Sequence, residues 1–135
     1  MKSKFTVVAV AAGLAVAALP MLAHHSFTAE YDNTKPVNIK GKLIKMEWIN
    51  PHSWVHMAVV TPDGKAENWA CETPPPNGLY RAGWRKDMIK EGDEISVQGF
   101  MAKDGSHTMW SQSVTFSDGS RLTLNSAPGA PAPKQ

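Results

Sequence analysis

Hydrophobic and polar positions alternate along most of the chain beyond residue 36, and that two-residue period predicts strands. Residues 37–49 open the series. Ile39, Gly41 and Leu43 share one parity, whereas Ile44, Met46 and Trp48 share the other. A pattern that changes face within one strand predicts a bulge near Leu43-Ile44. Asn50-Pro51 then interrupts, because proline donates nothing to a ladder and restricts the residue before it. Residues 53–61 alternate again, with Val55, Met57 and Val59 on one face and His52, Trp54, His56 and Ala58 on the other. Pro62-Asp63-Gly64 is a turn signal. Residues 65–73 should return as a third strand, with Trp69 and Cys71 on one face. Pro74-Pro75-Pro76 ends this hairpin, and Asn77 is placed to cap a short helix over residues 78–83 with Leu79 and Ala82 inward. Residues 94–101, 107–116 and 121–124 read as strands four to six, joined by turns at Asp104-Gly105 and Asp118-Gly119. In the fifth, Trp110, Val114 and Phe116 share a parity.

Three strands, a short helix and two or three more strands predict a mainly all-β fold. The order fits a five- to six-stranded OB-like Greek-key barrel with one short helix between strands three and four. A long, bent first strand carrying a glycine suits a small closed barrel. A meander barrel or an open β-roll is the alternative.

The two ends of the chain lack this period. Lys2 and Lys4 precede an uncharged apolar run over residues 5–18, Pro20 breaks it, and Ala23 offers a small residue for cleavage. These are the parts of a secretory signal over residues 1–23, and the run is too short for a membrane span. Residues 24–36 form an N-terminal arm, which Phe27 and Tyr31 are suited to pin. Residues 37–125 form a single β-barrel domain. Residues 126–135 make a Pro/Ala tail with little to bury. The expected location is the periplasm, with no transmembrane segment after cleavage.

Charge changes one part of this picture. The whole chain carries +2. Removing residues 1–23 takes away Lys2 and Lys4 and no acid, so the exported chain is neutral. It then has no electrostatic footprint for nucleic acid. Cys71 is the single cysteine and cannot form an internal disulfide. Its setting in Trp69-Ala70-Cys71 points to a buried thiol.

The residues with distinctive chemistry are histidines, tryptophans and methionines. Cleavage after Ala23 would give His24 a free α-amine beside its imidazole. Amine and imidazole chelate one metal ion, and a further histidine would complete a three-nitrogen set suited to Cu(II). His25, His52, His56 and His107 are the candidates for that place, with Met46, Met57, Met101 and Met109 as soft ligands. The preferred metal set is His24, His25 and His52. His52 and His56 lie four apart in a strand, roughly 13 Å along the chain, too far to share an ion. The plainer role of His56 is an exposed strand residue. Of the five tryptophans, most should fill the interior, with Trp54 and Trp84 partly exposed. Trp54, Tyr80 and Glu72 are the candidates for contact with a ligand. Glu47 and Glu72 have acid–base chemistry, but nothing in the sequence pairs them. No catalytic motif of the G-x-S-x-G, HExxH, CxxC or phosphate-loop kind occurs, so no catalytic residue is assigned.

His24-His25-Ser26-Phe27, Asn50-Pro51-His52-Ser53-Trp54, Gly78-Leu79-Tyr80-Arg81-Ala82-Gly83-Trp84 and Gly92-Asp93-Glu94-Ile95 together resemble a bacterial domain-of-unknown-function family of small exported proteins. The resemblance runs from His24 to about Leu124. It implies export and one β-rich domain, and it brings no activity or cofactor. The leading expectation is therefore a small periplasmic binding protein that holds copper through its mature N-terminal histidine and the Asn50–Trp54 loop. It would be a carrier or sensor and not a turnover enzyme. The alternative is a metal-free module that recognises a protein, glycan or small ligand through Trp54, His52 and Tyr80.

Overall fold

A computed structural model describes residues 27–124. A four-residue helix, α1 (Phe27–Glu30), runs directly into β1 (Tyr31–Glu47). There follow β2 (Ser53–Val60), β3 (Ala66–Thr73), α2 (Pro76–Arg81), a 3-10 turn (Lys86–Met88), β4 (Glu94–Ala102), β5 (Thr108–Thr115) and β6 (Arg121–Thr123). The sheet order is β3-β2-β1-β4-β5-β6. A parallel pairing of β3 with β5, Ala70 to Thr108 through Glu72 to Trp110, joins the two sides. The ring β1-β2-β3-β5-β4 is thus barrel-like, with α2 between β3 and β4. This is the expected OB-like arrangement. A meander would pair β4 with β3, but β4 pairs with β1.

Most strands lie where their period puts them. In β2 the burial pattern alternates strictly, with Val55, Met57 and Val59 inward. The predicted bulge is present, since the β1–β2 register shifts between Leu43 and Lys45. Leu43 also exchanges backbone hydrogen bonds with the turn before β4, donating to Asp93 at 2.9 Å and accepting from Gly92 at 2.8 Å. One strand pair therefore hands over to the other at the bulge.

Four local expectations change. First, β1 begins at Tyr31, six residues early, because the arm pairs with the end of β4 (Tyr31 with Ala102, Pro36 with Phe100). Second, Asn77 does not cap α2. The helix starts at Pro76, whose ring presets helical φ and whose missing N–H costs nothing in the first turn; Pro75 is the N-cap and makes no side-chain bond. Leu79 is buried and Ala82 packs against the core, as expected. Third, Trp84 is fully buried rather than partly exposed, set edge-on to Phe116 with ring centroids 5.4 Å apart. Fourth, Trp110 does not share a face with Val114 and Phe116. The β4–β5 register passes from Gln98–Ser113 to Gly99–Ser111 and skips Gln112, so the strand changes face there.

That skipped residue divides the apolar side chains into two clusters. Val114, Phe116, Met57, Cys71, Leu79 and Trp84 belong to the main core inside the ring. Phe27, Tyr31, Phe100, Ala102 and Trp110 form a second cluster on the other face of the wall. Phe27 stacks on Tyr31 at 5.7 Å and meets Phe100 and Trp110 edge-on at 5.9 and 6.2 Å. The arm is pinned by the two aromatics expected to pin it.

Where β4 pairs with β5, the backbone leaves no room for a side chain at Gly99. A Cβ on Gly99 would stand 1.8 Å from the Trp110 carbonyl oxygen and 2.8 Å from its carbon. Backbone cannot yield as a side-chain tip does. We expect Gly99→Ala to destabilise the fold by about 3 kcal/mol, measured by denaturant unfolding. Gly64→Ala is the control. It has φ +85 with nothing within 4 Å, so its cost should be about 1 kcal/mol of backbone strain.

Candidate functional site

The site is built around one buried carboxylate. Glu72 lies on β3 opposite Trp54 of β2 and beside Trp110 of β5, and is only 6% exposed. An unpaired carboxylate there would cost several kcal/mol. Glu72 has two partners, one for each oxygen. The Tyr31 hydroxyl donates a short hydrogen bond to Oε2, and the His52 Nδ1 lies within a short hydrogen-bonding contact of Oε1. Burial first, and then the bond to Glu72 and its negative charge, push the Tyr31 phenol far above its usual range.

His52 is held on two sides. It lies in the loop between β1 and β2, just after the cis Asn50–Pro51 peptide. Its ring stands edge-on to Trp110 with centroids 5.4 Å apart. A carboxylate oxygen accepts from Nδ1–H, so the neutral ring presents its Nε2 lone pair. This is the arrangement in which a carboxylate orients a metal-binding histidine.

These groups border an open cleft of about 700 Å3. Its walls are the α1–β1 junction (Ala29, Glu30, Tyr31), the β1–β2 loop (Ile49 to His52), Trp54, Glu72 and the β4–β5 loop with its flanks (Ala102 to Asp104, Ser106, Thr108). The ligand face of an OB fold is made by strands two and three with these same two loops. Lys103 closes one end. Its backbone N–H donates to the Glu30 carbonyl at 2.9 Å, and its ammonium donates to the Thr28 carbonyl at 2.5 Å. The lining carries three acids, Glu30, Glu72 and Asp104, and one lysine, Lys103.

The structure brings together three of the residues singled out in the sequence: His52, Glu72 and Trp54. Tyr80 lies elsewhere, stacked on Trp48 at 5.5 Å. His56, expected as an exposed strand residue, is half-buried and bonds Glu47 at 2.8 Å. His107 stacks on Trp69 at 5.0 Å. Met57 and Met109 are fully buried, and Met46 and Met101 pack against the same core, so none is placed as a soft ligand beside His52. His24 and His25 lie outside the described residues. Among the described residues no three histidine, cysteine or acidic groups converge as a metal set; the cleft supplies His52 and Glu72. Tyr31 and Trp110 complete the site, and the sequence pattern gives neither a role there. The only hint is that an aromatic arm must dock somewhere.

Tyr31 supplies a test of the Glu72 cluster. The folded state holds the phenolic proton, whereas the unfolded chain releases it near pH 10. This contribution to stability is complete below pH 10 and falls as pH rises beyond it. Tyr31→Phe should lower stability at pH 7 by about 1–3 kcal/mol, since Glu72 loses a donor. It should also make the decline shallower, by about half a proton at pH 10 and approaching one proton at pH 11. Denaturant unfolding at several pH values measures both. The Cys71 thiol, which burial also pushes up, is common to the two proteins and cancels.

No curated protein matches the chain. Among solved structures, it is similar to TiaS in complex with a tRNA and ATP, with 21% identity and a TM-score of 0.44 over 63% of this chain and 18% of that one. A ZRD-deleted TiaS mutant in complex with agmatine gives 21% identity and a TM-score of 0.44 over 70% and 25%. This chain thus spans a quarter or less of the length of those proteins. Residues 10–111 match the model of a family of unknown function, DUF6152, and the chain belongs to that family.

Proposed function

We propose that this is an exported periplasmic protein that binds copper through the mature N-terminal histidine, His24, together with His52. The observation that carries the reading is the hold of Glu72 on His52 Nδ1 at the root of the arm. It leaves Nε2 as the ligand atom and fixes the ring against Trp110. Reach supports the pairing. His24 is three residues before Phe27, and three residues span at most ~11 Å. Phe27 itself touches the Trp110 ring that backs His52. The α-amine and imidazole of His24 would give two nitrogens and His52 the third, a set suited to Cu(II). His25 is an alternative donor on the same arm. Glu72 acts on the metal through His52 and is not itself a ligand, because both its oxygens are engaged. The role is that of a carrier or sensor.

A second reading is favoured by the cleft itself. Its volume suits a small organic ligand, and half-buried Trp54 offers an indole to stack on one. In that case the same face works without metal.

The test is Cu(II) titration of protein processed to a free His24, read by electron paramagnetic resonance. We expect one tight site with nitrogen couplings. One additional N-terminal residue, or His52→Ala, should weaken it by at least ~100-fold, and Glu72→Gln by roughly 10- to 100-fold. Affinity indifferent to the extension and to His52→Ala would remove the copper reading and leave the cleft to an organic ligand.

A further inference from the structure

The segment from α2 through the 3-10 turn has a surface that the cleft does not use. Trp48, at the end of β1, stacks on Tyr80 at 5.5 Å with an interplanar angle of 26°. Each ring of this pair has a cation beside it. The Lys86 ammonium lies 5.8 Å from the Trp48 ring, and the Arg85 guanidinium lies 5.5 Å from the Tyr80 ring. Arg85 is further fixed by donating from one nitrogen to the carbonyls of Tyr80 at 2.8 Å and Trp84 at 3.0 Å. Tyr80, Met88 and nearby Ile49 are all exposed.

The cations here differ from most of those on the rest of the protein. Lys35, Lys40, Lys45 and Lys65 each pair with a carboxylate. Lys103 and Arg121 are bound by neutral oxygens. Among the described residues Arg81, Arg85, Lys86 and Lys90 have no carboxylate within 4 Å, and away from this segment the same holds for Lys42, Lys103 and Arg121. Residues 81–91 hold these four cations and two acids, Asp87 and Glu91. Four of the seven other described cations are matched and none of the four in residues 81–90 is, and two of those four, Arg85 and Lys86, lie against the aromatic pair.

We propose that this surface docks a carboxylate-rich segment of a partner protein. Arginine, tyrosine and tryptophan are the residues that dominate binding at interfaces. The ring contacts and carbonyl bonds already restrain Arg85 and Lys86, so less side-chain freedom is lost on docking. Guanidinium groups offer paired donors to a carboxylate, and Tyr80, Met88 and Ile49 give apolar contact around them. A bilayer fits less well, because the exposed apolar side chains here, Tyr80, Met88 and Ile49, are few and stand among cations. Ile49 also borders the cleft, so a partner seated here would touch the rim of the His52 site.

The experiment uses the whole exported chain and a fluorescent twelve-residue peptide of alternating glutamate and leucine as the probe. Vesicles containing phosphatidylglycerol and a short DNA duplex are the comparison ligands. We expect the peptide to bind, with affinity falling as salt is raised. Arg81→Glu with Lys86→Glu should weaken binding at least tenfold, and Tyr80→Ala several-fold without any change of charge. The charge-matched control, Lys40→Glu with Lys65→Glu, should leave binding within twofold. Equal loss in that control would overturn the proposal in favour of general charge attraction. So would absence of peptide binding, or binding of vesicles or DNA in its place.

Discussion

A single carboxylate holds three distant parts of this chain together. Glu72 accepts from Tyr31 in the arm and from His52 in the β1–β2 loop, and these partners are 41 and 20 residues away in sequence. Removing one partner from a buried charged cluster costs more than forming the cluster returns, because the remaining charge is stranded. The arm, the loop and β3 are therefore set relative to one another by an electrostatic demand, with aromatic packing around it. The site inherits its geometry from this demand.

The two apolar clusters follow from one irregularity. A strand of strict period two would send Trp110 inward with Val114, and His52 would lose the indole that backs it. Skipping Gln112 in the register turns the first half of β5 over. Trp110 then faces Phe27 and Tyr31 and forms the flat backing for His52. The same outward ring gives the arm something to bind, and this is how a segment before the barrel becomes part of its sheet. Bulges beside binding sites commonly re-aim a side chain in this way.

What could be read in the sequence was what is local. The alternation in β2, the glycine turns and the change of face at Leu43-Ile44 each depend on neighbours within a few residues, and each is present. The cap at Asn77 failed because Pro76 started the helix first, a competition between two local signals. The side of β5 on which Trp110 lies depended on a bulge that no residue type announces. The pairing of Glu72 with His52 and Tyr31 was illegible for a different reason: it requires the β2–β3 register and the course of the arm together. Glu72, expected as a ligand contact, lines the cleft and bonds two neighbours, His52 and Tyr31. Tyr80, expected at the same cleft, belongs to another surface, because the helix that carries it packs against Trp48.

Cys71 and Glu72 are neighbours on β3, one fully buried among Met57 and Val55, the other at the cleft. Successive residues of a strand face opposite ways. A slip of β3 by one place against β2 would therefore drive a carboxylate into the interior of the ring and lift the thiol into the cleft. Misregistered pairings are a standing hazard for small β proteins. Here the wrong alignment is penalised by the same side chain that organises the site, so Glu72 also acts as a proofreader of how the chain folds.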